Sequence, residues 1–282
     1  MKKIGKKIGA CSLLLRFAME PPFRILARAL LRQLNVSVKT RALWELTKRP
    51  AYLLGVLTAA EQALKQKVSE ISVIEFGVAG GDGLVTLQRE AEAVELETGI
   101  RIKVYGFDMG SQGLPSFIGD YRDRPDKWRP GDFPMDEPKL RSRLTNRTTL
   151  ILGQVRDTVP GFFENFQPPP VGFVSFDLDL YSSTKDALQL FTVPGKKMLW
   201  HVPLYFDDIE FLFNHKFAGE LLAIHEFNQT SSQVKIDQWY GVRIGRPFPE
   251  RPFLEKLYVA HDLEAISKVV LDREVAALPV RD

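Results

Sequence analysis

Val73-Ile-Glu-Phe-Gly-Val-Ala-Gly-Gly-Asp-Gly-Leu84 begins as an apolar run, turns through four glycines and continues into a helical pattern. A strand, a glycine-rich turn and a helix form the opening unit of an α/β sheet. The glycines let a ligand approach the backbone, and the helix start presents free N–H groups. A dinucleotide fingerprint needs a second glycine where Ala79 stands, so the nicotinamide reading loses its clearest support. No Gly-Lys-Ser/Thr follows either. The strand ends instead in an acid, Glu75, suited to an ammonium or other cationic part of a ligand. Taken alone, the loop also reads as a tight strand-to-helix connection with no ligand.

Working outward, residues 49–64 have helical apolar spacing and lead into this strand. Beyond it, strand-like runs at 72–76, 102–107, 149–152, 171–176 and 197–202 alternate with helical segments at 84–98, 137–144, 158–165 and 183–191. Such alternation predicts a mostly parallel sheet with helices on both faces. Three further strands, at 221–227, 238–244 and 256–261, would add antiparallel pairs at one edge. Residues 114–135 are irregular and carry Pro115, Pro125, Pro130 and Pro134, as expected of a lid or binding loop.

The fourth run passes straight into acids: Phe173-Val-Ser-Phe-Asp-Leu-Asp-Leu-Tyr-Ser-Ser-Thr184. Residues two apart on an extended segment share a face, so Asp177 and Asp179 repel each other unless a cation, a shared proton or water relieves them. Ligands of open α/β sheets sit just beyond the carboxyl ends of the strands, where these acids stand.

Composition sets the outer bounds. The 282 residues are 45% hydrophobic, enough for one large domain with appendages. The formal charge of +3 hides an asymmetry: Lys2, Lys3, Lys6, Lys7, Arg16, Arg24, Arg28 and Arg32 face only Glu20 in the opening stretch. Residues 1–48 therefore read as a basic amphipathic helical arm, broken by Pro21-Pro22, and residues 49–282 as the main domain. The arm is expected to pack on the domain or on a second subunit of a homo-oligomer; an anionic membrane surface is the alternative. No run of roughly 20 apolar residues predicts a membrane span. Cys11 is the single cysteine, which favours a reducing compartment, the cytoplasm by default. Arginines alternate with acids in 121–129, which argues against nucleic-acid binding.

The second strand ends in Asp108, where an acid can bond ribose hydroxyls or simply cap a turn. The third runs into Gly153-Gln154-Val155, whose backbone can flank an adenine ring. Ribose, a cation and no need for pyrophosphate together describe S-adenosylmethionine.

Six motifs occur in order: Glu75-Phe-Gly-Val-Ala-Gly-Gly, Gly106-Phe-Asp-Met-Gly-Ser-Gln-Gly-Leu-Pro, Gly131-Asp-Phe, Gly153-Gln-Val-Arg-Asp-Thr-Val-Pro, Asp177-Leu-Asp-Leu-Tyr-Ser-Ser-Thr and Asp207-Asp208. From about residue 49 to 208 the chain thus resembles the macrocin O-methyltransferase-like family of class I S-adenosylmethionine-dependent sugar O-methyltransferases. The resemblance implies a Rossmann-like class I methyltransferase fold. It implies a cofactor held by Glu75, Gly77, Val78, Gly80, Gly81, Asp108, Met109, Gly153, Gln154, Val155 and Asp177. It also implies Asp177, Asp207 and Asp208 as ligands of a divalent metal, usually Mg²⁺, Asp179 as general base, and a glycoside or glycan acceptor. All these donors are hard oxygens, which suit Mg²⁺ better than Zn²⁺. In one departure from the family pattern, Pro203 lies ahead of the acidic pair and predicts a diverted backbone there. Two rival functions remain: an S-adenosylmethionine-binding protein without metal-dependent catalysis, and a nicotinamide-dependent sugar oxidoreductase lacking the glycine register and a Tyr-x-x-x-Lys pair. The scattered histidines read as structural, with His201, just ahead of the acidic pair, the one worth testing for a place near the acceptor, whereas Trp239 and Tyr240 are expected in the core.

Overall fold

The structure, a computed structural model, describes residues 20–270. The first part of the arm, with Cys11, lies outside the described residues. Strands β1 (Glu70–Phe76), β2 (Arg101–Asp108), β3 (Thr148–Leu152), β4 (Val171–Phe176), β5 (His201–Phe206), β6 (Val234–Gln238) and β7 (Leu257–Asp262) form one sheet. Its spatial order is β3-β2-β1-β4-β5-β7-β6. The first five strands pair in parallel, and β7 runs antiparallel to both β5 and β6.

Helices flank the sheet: α1 (Phe23–Leu31), α2 (Val38–Leu43), α3 (Pro50–Lys65), α4 (Asp82–Thr98), α5 (Glu137–Arg141), α6 (Val155–Thr158), α7 (Phe162–Phe166), α8 (Tyr181–Leu188), α9 (Gly219–Thr230) and α10 (Leu263–Ser267). Alternation along β2 places them on both sides. Gly106 faces Leu84 of α4, whereas the rings of Tyr105 and Phe107 on the opposite face meet Phe162 of α7. β4 is buried throughout and β1 from Ile71 onward, as central parallel strands covered on both faces must be. Pro50 starts α3, and Gly99 ends α4 in the left-handed region (φ 75°). Among the described residues no helix is long and apolar enough to cross a membrane.

Four fully buried phenylalanines form a row near the carboxyl ends of the parallel strands. Phe107, Phe76, Phe176 and Phe206 lie at paired positions near the carboxyl ends of β2, β1, β4 and β5. Their rings stack in a row, with centroids 4.7, 5.5 and 4.6 Å apart. The next residue on each strand is Asp108, Gly77, Asp177 or Asp207. A continuous apolar layer therefore lies one residue below the strand ends that carry Asp108, Asp177 and Asp207.

The C-terminal third departs from the sequence expectation. Residues 221–227, expected as a strand, belong to α9. The buried positions 220, 223, 224 and 227 are helically spaced, but the period starts at Glu220, an acid that reads as a surface residue. β6 comes earlier than the strand expected at 238–244, so among the described residues two late strands are present instead of three. The strand expected at 197–202 is displaced to His201–Phe206 and runs through Pro203, which pairs with Val259 of β7. The β4 ladder begins only at Leu204, one residue past the proline, which has no N–H to donate. Pro203 therefore does not divert the chain, and Asp207 and Asp208 directly follow β5.

Candidate functional site

Asp108 first serves the glycine loop. Its Oδ2 accepts the N–H groups of Val78 and Ala79, both at 2.8 Å, and its Oδ1 accepts Gly110 N–H at 2.6 Å. These bonds hold Ala79 in left-handed backbone (φ 44°), which explains how a non-glycine residue is tolerated there. Burial still outweighs them and raises the Asp108 carboxyl above its usual range.

Glu75 is fully buried beneath the same loop. Its Oε1 accepts the Tyr52 hydroxyl at 2.5 Å, and that oxygen in turn accepts Ser175 Oγ at 2.9 Å. A Cβ on Gly83 would lie 1.9 Å from Oε1, so only glycine leaves the carboxyl its space. Oε2 finds no hydrogen-bond partner among the described residues, as a group awaiting a cation would. Burial pushes this carboxyl up to about 8, against the opposing pull of the Tyr52 hydroxyl and Arg49. An acid whose folded pKa lies above its unfolded value favours the fold while protonated. That stabilisation is full below about 4.5 and is lost as pH rises to about 8. Glu75→Gln is therefore expected to gain on the wild type between those limits, by at least about 1 kcal/mol at pH 8 in urea unfolding of the cofactor-free protein. Equal stability at pH 5 and pH 8 would remove the assignment.

The remaining acids converge at the ends of β4 and β5. Asp179 sits at φ 63° in a tight turn closed by Leu180 N–H to Leu178 O at 2.6 Å, a strained conformation of the kind found at functional sites. Its own N–H donates to Asp208 Oδ2 at 3.1 Å, and Asp208 N–H donates to Glu220 Oε2 at 3.0 Å. Burial, followed by the neighbouring acids, raises these carboxyls: Asp177 to about 7, Asp179 to about 9 and Asp208 to about 6. Glu220 rises well above its usual range for the same reasons.

Each expected metal ligand faces a cation. Arg49 Nη1 lies 3.8 Å from Asp177, Lys256 Nζ 3.2 Å from Asp207 and Lys127 Nζ 3.9 Å from Asp208. Lys256 also donates to the Asp207 carbonyl at 2.7 Å, and Tyr205 donates its hydroxyl to Asp207 Oδ1 at 2.5 Å. Among the described residues no three acids, histidines or cysteines converge as a metal-holding set. The oxygen donors have the right chemistry for Mg²⁺, but as placed they do not fit one.

The irregular stretch 114–135 is a compact loop with a paired neck: Leu114 N–H donates to Asp132 O and Gly131 N–H to Leu114 O, both at 2.8 Å. Buried Asp123 anchors it by accepting the N–H and the hydroxyl of Ser182 at the start of α8. The loop delivers Lys127 to the acids, with its ammonium 3.2 Å from the centroid of the Phe211 ring.

Two cavities meet at this point and share Gly77, Ala79, Phe133, Asp177 and Asp179. One, of about 440 Å³, adds Asp108, Met109, Gln154 and Val155; the other, of about 370 Å³, adds Glu75, Val78, Gly80, Gly81, Asp207 and Asp208. Of the cofactor residues, metal ligands and base expected from the sequence, only Gly153 lines neither; its N–H instead closes the β2–β3 end on Asp108 O at 2.9 Å.

His201 is not near the acids. It starts β5 at the opposite end from Asp207, and its Nδ1 lies 2.8 Å from His261 Nδ1. Trp239 packs partly on the core, but Tyr240 is exposed, contrary to expectation. Arg49, Tyr52, Lys127, Glu220 and Lys256 were not anticipated. Only Arg49 and Tyr52 leave a signal, three residues apart at the start of a helix and hence on one face.

The strand order, with a glycine loop after β1 and acids after β2, β4 and β5, is that of the Rossmann-like class I methyltransferase fold. The crystal structure of CalS11, a calicheamicin methyltransferase, shares this fold with a TM-score of 0.51 at 20% identity, over 86% of this chain and 93% of that one. The O-methyltransferase NovP aligns with a TM-score of 0.47 at 20% identity, over 64% of this chain and 72% of NovP. No protein-family model and no curated protein matches the chain.

Proposed function

We propose that this chain transfers a methyl group from S-adenosylmethionine to a hydroxyl of a sugar or glycosylated small molecule. The observation that carries this reading is a carboxyl-rich crevice at the carboxyl ends of β1, β4 and β5. There Glu75, Asp177, Asp179, Asp207 and Asp208 line the cavities against three cations, Arg49, Lys127 and Lys256. Burial raises Glu75, Asp177 and Asp179 so that they hold protons near neutral pH until a bound cation favours their charged forms. A ligand bearing both an ammonium and a sulfonium supplies such a cation, and Glu75 Oε2 offers the ammonium an acceptor. The nucleoside would lie in the larger cavity between Asp108, Met109, Gln154 and Val155. Residues 49–282 form the catalytic domain in this reading, and residues 1–48 its arm.

In the transfer step the acceptor oxygen attacks the methyl carbon in line with sulfur. The carbon–sulfur bond breaks, its electron pair stays on sulfur, and S-adenosylhomocysteine leaves. Asp179, which lines both cavities, takes the hydroxyl proton in its ionised form, whose share grows as pH rises toward about 9. Lys127, brought in by the loop, balances the charge beside it. Holding the two substrates in this geometry supplies much of the remaining acceleration.

Isothermal titration with S-adenosylmethionine, and labelled methyl transfer to a panel of free, nucleotide-linked and aglycone-linked sugars, test the proposal. Failure to bind the cofactor overturns it, whereas binding without transfer favours a cofactor-binding protein lacking catalysis. Mg²⁺ assistance is a finer form of the proposal, and no step above depends on it. If a divalent ion organises the acids, transfer is lost in EDTA and restored by Mg²⁺; unchanged transfer in EDTA refutes that form.

A further inference from the structure

Helix α1 is mounted inside out. A surface helix normally turns its apolar stripe inward and its charges to water. Here the inward contacts are made by arginines. Arg24 donates to Pro247 O at 2.9 Å and pairs with Glu250 at 2.8 Å, and Arg28 donates to Glu45 O at 2.9 Å. Both guanidinium groups stack 5.1 Å from the centroid of the Phe248 ring, which is buried. No residue of α1 is itself buried. Ile25, Leu26 and Leu30 are 61, 59 and 68% exposed, and Leu34 just beyond the helix is 62% exposed. A contiguous apolar face fixed outward by its polar side marks an interaction surface.

Charge selects the occupant. Residues 1–19, which lead into this helix, contain Lys2, Lys3, Lys6, Lys7 and Arg16 and no acid. A second copy across a two-fold axis would bring two such basic segments together. An anionic lipid surface complements the basic segment and the apolar face at once. We propose that α1 is a membrane-docking helix: its Ile25, Leu26 and Leu30 face enters the interface of an anionic bilayer, and the lysine-rich segment ahead of it supplies the attraction. Because Arg24 and Arg28 are spent on the domain, they fix its orientation and add nothing to lipid binding.

Co-sedimentation of the full chain with phosphatidylglycerol/phosphatidylcholine vesicles tests this. The wild type is expected to bind the mixed vesicles, to bind less as salt rises, and to ignore pure phosphatidylcholine. Leu26→Glu with Leu30→Glu should weaken binding at least about tenfold without lowering the thermal midpoint, since both side chains already face solvent. Replacing Lys2, Lys3, Lys6 and Lys7 with Ala should remove the salt dependence and leave the helix in place. Absence of wild-type binding to anionic vesicles overturns the proposal, as does equal binding by the glutamate variant. A wild-type oligomer that the glutamate variant dissociates, with no vesicle binding by either, assigns the face to a second copy and likewise overturns it.

Discussion

Asp179→Asn is expected to lower turnover by about 10²- to 10⁴-fold, the contribution of a positioned general base, while leaving S-adenosylmethionine affinity within about threefold. The substitution suits this position. Asparagine tolerates the left-handed backbone at residue 179 (φ 63°), and the bond to Asp208 comes from the backbone N–H, which is retained. Loss of rate therefore reads on the carboxylate and not on the turn that holds it. Single-turnover measurements with saturating cofactor make the comparison directly. A variant as fast as the wild type moves the base elsewhere, with Asp208 the next group to test.

Gly77→Ala should be the most damaging single-methyl change in the site. Gly77 lies at φ 83°, and a Cβ there would fall 1.7 Å from the carbonyl oxygen of Asp177. That obstacle is backbone at the end of a buried strand, so neither partner can turn aside. A loss of at least about 3 kcal/mol, and of most soluble protein, is expected. Gly80→Ala is the matched control. Nothing lies within 4 Å of a Cβ at that position, so the fold should keep its stability to within about 0.5 kcal/mol. The added methyl would occupy the smaller cavity, and cofactor affinity should fall about tenfold or more. Normal cofactor binding by Gly80→Ala would put the ligand somewhere other than the glycine loop.

The pairing of these two glycines shows what was readable in the chain. Local signals carried the parallel half of the fold: the glycine turn, the apolar runs and the acids Asp108 and Asp177 that follow two of them. The repeated Phe-Asp and Phe-Gly steps at 107–108, 76–77, 176–177 and 206–207 carried no signal by themselves, because their side-by-side stacking needs the strand register. Glu220 hid a helix because a buried acid breaks the hydrophobic count, and Pro203 suggested a break because proline belongs at strand edges or bulges. The charges that balance the acids were unreadable. Arg49, Lys127 and Lys256 come from a helix start, a long loop and a short turn, and only the closed chain brings them together. Lys127 in particular lies among alternating charges that read as a solvated surface.

The sheet itself has a weak seam. β4 and β5 share three residue pairs, from Val174 with Leu204 to Phe176 with Phe206, plus one isolated bridge between Val171 and Met198. From His201 to Pro203, β5 pairs only with β7. The β5–β7–β6 edge is therefore expected to open below the free energy of global unfolding. Asp177 and Asp179 stand on one bank of this seam and Asp207 and Asp208 on the other. Anything bound between the banks would rivet them, so amide protons of β5 and β7 should exchange with deuterium faster than those of β1 in the free protein and slow most when the crevice is filled.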